Sequence, residues 1–306
     1  AHLTSGDDQI LIYTGGTTGL PRGVMWRQHD LYLASNASGY AATFDAEAVR
    51  GRLSGPGPIG LPAAPLMHGT GFVFAATILN RGGTVLTLAE PKFDADRLLD
   101  AIGRERVTDL CIVGDAFCRP MVETLEQEPG RYDLSSLKIV SSSGMMWSPA
   151  VKARLLVHAP DVLMIDFLNA SEASGLGRSL TSARKQEAGA RFRLGENAFV
   201  LDDDDRPMPP GTGRPGRLAV RGRVPLGYYK DPVKTAATFP TIAGVRCAVP
   251  GDYAIVEADG SITLLGRGSI SINTGGEKVF PEEVEEAVKT FPAVRDALVV
   301  GVPDPR

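Results

Sequence analysis

Between residues 84 and 167 short apolar, β-prone runs alternate with stretches of helical apolar spacing, and that alternation leaves few folds open. Residues 84–88, 110–113, 137–140 and 162–167 read as strands. Residues 93–106 (with Phe93, Leu98, Leu99 and Ile102 on one face), 121–128 and 149–157 read as helices. Strands separated in this way predict an α/β fold, a parallel sheet covered by helices. Upstream, residues 9–13 and 23–26 are predicted strands on either side of a Gly/Thr loop, with a polar helix from about His29 and Asp30. Residues 51–65, dense in Gly and Pro, read as loop.

After about residue 190 short alternating strands (198–201, 218–221, 254–257 and 262–265) are parted by Gly, Pro and Asp turns, which predicts a small antiparallel sheet or barrel. From Arg267 the character shifts again, to a helix over 281–288 with Pro281 in its first turn and a strand over 297–302. One helix and one strand are too little for a core. The expected organisation is therefore an α/β part at 1–190, a β subdomain at 191–266 and the start of a further α+β domain at 267–306.

A formal net charge of -4 gives no electrostatic case for nucleic acid or an anionic membrane surface, and no run of about 18 apolar residues predicts a transmembrane segment. Cys111, Cys118 and Cys247 lack a C-x-x-C spacing, which fits a reducing, cytoplasmic compartment rather than a disulfide framework or zinc site.

The most informative stretch is Tyr13-Thr14-Gly15-Gly16-Thr17-Thr18-Gly19-Leu20-Pro21-Arg22-Gly23. Its glycines permit tight curvature and close approach to an anion, successive N–H groups can nest phosphate oxygens, threonine hydroxyls add donors, and Arg22 adds charge. A Walker loop cannot be laid over it, and its flanks read as strand and strand. The stretch resembles the phosphate-binding signature of the adenylate-forming superfamily, with Gly15 or Gly16 where that family usually has Ser and Arg22 where it has Lys. The family includes acyl-CoA synthetases, luciferases and the adenylation domains of peptide synthetases.

Other segments resemble that family in its order. Phe167-Leu168-Asn169-Ala170-Ser171-Glu172 is similar to its aromatic-Gly-x-Thr-Glu motif, with Leu168 and Asn169 in place of Tyr-Gly. The resemblance implies α-phosphate contact for Ser171 and Mg2+ for Glu172, nucleotide contacts for Asn169 and Ala170, and the same for Ser143, Gly144 and Met145 in Ser141-Ser142-Ser143-Gly144-Met145-Met146. Pro65-Leu66-Met67-His68-Gly69-Thr70-Gly71 resembles the mouth of the acyl pocket, which implies that His68 orients the carboxylate or gates its entry. Gly251-Asp252 and Gly266-Arg267 match the family's ribose-binding pair, and residues 273–285 resemble the first loop and helix of its C-terminal lid. The lid's hinge position falls on Ser269 or Ile270 instead of Asp or Lys.

Other patterns fail their context. Gly211-Thr212-Gly213-Arg214-Pro215-Gly216 satisfies G-x-G-x-x-G but leads into a predicted strand, not a helix. The acidic run 202–205 reads as a solvated turn. Neither G-x-S-x-G nor H-E-x-x-H occurs.

The resemblance implies an ATP-dependent acid–thiol ligase. A carboxylic acid is activated as acyl-AMP, then transferred to coenzyme A. The His68 segment lacks the Asp that holds an α-amino group in peptide synthetases, and Met67, Phe72 and Phe74 suit a fatty, branched or polycyclic acid. A non-catalytic nucleotide-binding relative, or a ligase for an aryl acid or another acceptor, stands as the alternative. The family also implies about 150 residues ahead of this chain, a domain's worth, and a catalytic Lys beyond it. The 306-residue piece alone is accordingly expected to be inactive or very slow, and to expose a surface through which it can form a homodimer.

Overall fold

The computed structural model describes residues 5–14, 21–36, 47, 55–89, 92–184, 191–268, 272–273, 278–289, 291, 293–294 and 296–302. A hairpin of β1 (Gln9–Thr14) and β2 (Arg22–Arg27) leads into helix α1 (Gln28–Asn36). Next come β3 (Ile59–Pro62), α2 (Gly69–Asn80), β4 (Thr84–Val85), α3 (Ala95–Arg104), β5 (Asp109–Ile112) and α4 (Gly114–Gln127). They continue into β6 (Ile139–Ser143), α5 (Pro149–His158) and β7 (Leu163–Ala170). The rest is mostly strand: β8 (Ala173–Thr181), β9 (Arg191–Leu194), β10 (Ala198–Leu201), β11 (Pro215–Arg221) and β12 (Gly227–Tyr228). Helix α6 (Pro232–Thr238) precedes β13 (Thr241–Ile242), β14 (Val245–Ala248), β15 (Asp252–Val256) and β16 (Ser261–Arg267). Last are β17 (Ile272–Asn273), β18 (Lys278–Val279) and α7 (Pro281–Lys289).

Strands β4, β3, β5, β6 and β7 lie side by side in that order, all parallel, as the strand–helix alternation requires. At β7–β8 the pairing turns antiparallel and runs on through β9, β16, β15 and β11. Of the sheet or barrel expected after residue 190, the described residues form a sheet that continues the parallel one, with no closed barrel.

Two cores hold these parts. In the first, Leu98, Leu99 and Ile102 of α3, Met121 of α4 and Leu155 of α5 pack on Leu61, Leu110, Val140 and Met164 of the parallel strands. Helix α3 shows why the sequence folds so: Asp94 caps it by accepting from the Arg97 N–H, and its apolar residues fall on one face. In the second core, Val24 and Trp26 of β2 and Tyr228 of β12 pack against Ala173, Leu176, Leu218 and Ala254 of the antiparallel strands. Strand β12 also pairs with β2, so the N-terminal hairpin is fastened above the point where the sheet changes direction.

Among the departures from the sequence reading, three are instructive. Strand β3 lies inside the Gly/Pro-rich stretch read as loop, and Gly60 is there for close packing. A Cβ on it would stand 2.4 Å from Ile78 Cγ1 of α2. Helix α2 itself, Gly-Thr-Gly-Phe-Val-Phe-Ala-Ala-Thr-Ile-Leu-Asn, is apolar on nearly every side and so lacks the periodicity that marks a helix. Residues 297–302 form no strand and expose Leu298, Val300 and Val302, because no partner strand lies beside them among the described residues.

A buried ion pair joins helix to sheet behind the first core: Lys152 Nζ of α5 stands 3.4 Å from Asp166 Oδ2 of β7. Burial pushes the Asp166 carboxyl up to about 6, against the pull of Lys152. A folded value above the unfolded one means that the favourable contribution of this site is complete in acid and is lost as pH rises through about 6. At pH about 8 Lys152→Met should cost about 3–5 kcal/mol in denaturant unfolding, whereas Lys152→Met with Asp166→Leu should recover most of that loss.

Candidate functional site

The turn between β7 and β8 is two residues long, Ser171 and Glu172, with Ala170 paired to Ala173. The register between the strands shifts between Leu168 and Ala170, with the extra residues on β8, and Asn169 Oδ1 accepts from the Gly175 N–H at 2.7 Å to tie the turn down. This is a hairpin, not the helix cap that Ser-Glu after a strand suggests in isolation. Trp26 Nε1–H of β2 donates to the Ser171 carbonyl at 2.8 Å, so the N-terminal hairpin grips the turn directly.

Glu172 is buried, and Tyr228 Oη donates to its Oε1 at 2.7 Å. Burial, then the charge of Glu172 and this bond, push the Tyr228 hydroxyl well above its ordinary value, so it remains a donor. Arg22 acts on the same hydroxyl in the opposite sense. The Arg22 guanidinium Nε stands 3.5 Å from Asp231 Oδ2, each about a third exposed. Such a half-solvated pair is worth about 1 kcal/mol or less and is readily exchanged for a stronger anion. Thr14 and Arg22 are cross-strand partners at the mouth of the hairpin, and both line the cleft. Gly15, Gly16, Thr17, Thr18 and Gly19 lie outside the described residues.

Across the cleft, Asp252 and Arg267 face each other on β15 and β16, with Arg267 Nε 3.6 Å from Asp252 Oδ1. Burial raises the Asp252 carboxyl, Arg267 lowers it, and the charge of Glu172 raises it further. Hydrogen bond, ion pair and field thus link Arg22, Tyr228, Glu172, Asp252 and Arg267 around one space.

His68 caps helix α2: its Nδ1 accepts from the Thr70 N–H at 3.3 Å, which leaves the proton of the neutral ring on Nε2. Its Cε1 lies 4.0 Å from where a Cβ on Gly144 would be, so the ring edge borders the end of β6. Gly144 has φ +98°, where a side chain would be strained. Of the serines before it, Ser141 donates to the Leu110 carbonyl and Ser142 Oγ accepts from the Gly114 N–H. Ser143 carries no side-chain hydrogen bond among the described residues.

A single cleft of about 1320 Å³ takes in Thr14, Arg22, His68, Ser143, Gly144 and Arg267, together with Asn169, Ala170, Ser171 and Glu172. Met145 is exposed and does not line it, and Asp252 stands just behind Arg267. Sequence reasoning missed Tyr228, Trp26 and Asp231. Nothing local marks them, since each acts through a contact across the fold. Cys111 and Cys118 are held as thiols, pushed up to about 12 by burial. In the acidic run, Asp202 Oδ1 accepts from the N–H groups of Asp204 and Arg206, an ordinary turn.

The chain belongs to the AMP-binding enzyme family, whose model matches residues 3–229. It is 45% identical over 311 residues to a medium/long-chain-fatty-acid–CoA/3-oxocholest-4-en-26-oate–CoA ligase of Mycolicibacterium smegmatis, covering 99% of this chain and 56% of that protein. It is 42% identical over 312 residues to a 3-oxocholest-4-en-26-oate–CoA ligase of Rhodococcus rhodochrous, with the same coverage. Among solved structures it is similar to an amide bond synthetase from Marinactinospora thermotolerans, at TM-score 0.77 and 28% identity over 96% of this chain and 56% of that one. A Bacillus subtilis O-succinylbenzoate coenzyme A synthetase, in complex with ATP and magnesium ion, shares the fold at TM-score 0.74 and 22% identity over 96% and 57% of the two chains. The chain spans little more than half the length of the relatives it matches. No helix among the described residues is long and apolar enough to cross a membrane.

Tyr228→Phe should lower stability by about 1–3 kcal/mol in denaturant unfolding at neutral pH, because it leaves a buried carboxylate oxygen short of a donor. Arg267→Gln should raise the titration midpoint of Asp252 in carboxyl NMR. The sign follows from removing the charge that opposes burial, and an unmoved midpoint would show that the two do not interact.

Proposed function

We propose that the protein to which this chain belongs is an ATP-dependent, AMP-forming acyl-CoA synthetase for an apolar carboxylic acid. The observation that carries this reading is the link from Arg22 through Tyr228 and Glu172 to Asp252 and Arg267 around one cleft, with His68 and Gly144 on its border. A nucleotide triphosphate needs cationic donors at one end and a ribose acceptor at the other, and this arrangement offers both.

The hairpin loop, with Thr14 and Arg22, grips the β- and γ-phosphates. Asp252 accepts from the ribose hydroxyls, and Arg267 holds that carboxylate in place. Ser171, whose Oγ lies near Gly69 at the start of α2, donates to the α-phosphate. The Nε2–H of His68 orients the acid's carboxylate, as a donor rather than a base. That oxygen attacks the α-phosphorus while the bond to the pyrophosphate oxygen breaks. The coenzyme A thiol then adds at the acyl carbon and displaces AMP.

Magnesium fits this site in the way the ion is usually held beside a nucleotide. The described residues contain no cluster of three ligands. A single buried carboxylate, Glu172, with one oxygen fixed by Tyr228, is the donor expected when phosphates and water complete the shell. When bound, the ion would offset the like charge that a carboxylate meets on approaching a phosphate.

Apolar residues of α2 along the cleft, Val73 and Phe74, support an apolar acid, as do the substrates named for the mycobacterial and rhodococcal relatives. We extend the reading to a cytoplasmic enzyme, and to an organisation of an α/β part (1–190), a β subdomain (191–266) and a lid beginning at 267.

In the complete protein, ATP, a fatty or polycyclic acid and coenzyme A should together release AMP and pyrophosphate. Glu172→Gln should lower kcat/KM by about a hundredfold or more. AMP release that occurs only with amino acids, or a full rate in the Glu172 variant, would overturn the proposal.

A further inference from the structure

The cleft has a second end. Beyond His68 it follows helix α2, lined by Val73, Phe74 and Thr77, and then by Arg81, which closes the last turn of that helix. Residues 73, 77 and 81 are four apart and so share one helical face. At about 1.5 Å per residue Arg81 stands roughly 16 Å along the axis from Thr70, which lies beside the carboxylate-orienting His68.

A guanidinium at the end of a largely apolar slot calls for a reason. Arg81 Nη1 donates to Asp109 Oδ1 at 2.9 Å, and Asp109 Oδ2 takes the Thr108 hydroxyl at 2.7 Å. The Asp109 side chain is only 6% exposed, while that of Arg81 is 29% exposed. A guanidinium carries five N–H donors in a rigid plane, and Asp109 uses one of its nitrogens among the described residues. Asp109 therefore fixes the plane and cancels the charge, leaving oriented donors that border the cleft with no net positive field. A second carboxylate on the acid would meet Asp109, whereas a neutral carbonyl or hydroxyl would not. A wholly apolar tail would strip water from those donors and return nothing.

Resting on the acyl-CoA synthetase reading, we propose that Arg81 is the specificity-determining residue through which this site selects elongated acids with a carbonyl or hydroxyl acceptor remote from the carboxylate, the class to which the 3-oxocholest-4-en-26-oate named for the relatives belongs.

The test uses the complete protein and two acids of one length, tetradecanoic acid and its ketone oxidised at the penultimate carbon. The wild-type protein should favour the ketone by about tenfold or more in kcat/KM, mainly through KM, because a site built to donate rejects an analogue that cannot accept. Arg81→Met combined with Asp109→Asn removes the guanidinium without stranding a buried carboxylate. It should lower kcat/KM for the ketone at least about tenfold more than for the plain acid, and Arg81→Lys with Asp109 intact should restore part of the preference. Equal treatment of the two acids by the wild type, or a preference that survives in the double variant, overturns the assignment. If neither acid supports AMP release, the synthetase reading fails. If the plain acid is activated and the ketone is not favoured, the assignment of Arg81 fails alone. Melting of the double variant separates loss of the fold from loss of recognition.

Discussion

A carboxylate taken out of water has to be held by donors, and the bond from Tyr228 to Glu172 is where this fold meets that requirement. Glu172 sits in a two-residue turn at the point where the sheet changes from parallel to antiparallel. Tyr228 reaches it from β12, which is in place because it pairs with β2. Trp26 on β2 holds the same turn through the carbonyl of Ser171. The N-terminal hairpin, the central turn and the middle of the antiparallel region are thus joined at one carboxylate, and the shape of the cleft follows from that junction.

The electrostatics follow the same logic. Burial raises Asp252 and Tyr228, and in each case an arginine opposes the shift. Neither arginine is buried in a rigid pair: Arg22 and Arg267 stand 3.5 and 3.6 Å from their carboxylates and remain partly solvated. A cleft built this way keeps cations at its rim without committing them, which suits an anionic ligand that arrives and leaves. The buried pair of Lys152 and Asp166, by contrast, has solvent at neither end and serves the packing of α5 on β7.

Much of this was legible in the sequence because it is local. The parallel strands other than β3, together with α3 and α5, are written in periodicity and caps, and the residues around the turn and the hairpin were identified by their order along the chain. What was illegible arises from contacts between distant segments. Gly60 reads as loop, yet it serves the approach of α2. Helix α2 hides because its residues are apolar on nearly every side, so no polar face alternates with an apolar one to give it away. Tyr228, in Leu226-Gly227-Tyr228-Tyr229, carries no local sign that one of two adjacent tyrosines will reach a carboxylate 56 positions earlier. The strand expected at 297–302 illustrates the reverse error, since β propensity without a neighbouring ladder leaves only extended, exposed chain.

Because Gly60 and Ile78 meet with no room to spare, the seat of α2 on the sheet is set by a contact that does not itself line the cleft. A methyl group gained at position 60 or lost at position 78 would tilt or sink the whole rod, and every residue along it from His68 to Arg81 would travel together. Evolution can therefore retune the width of this slot by editing the contact between α2 and β3 instead of the wall that ligands touch.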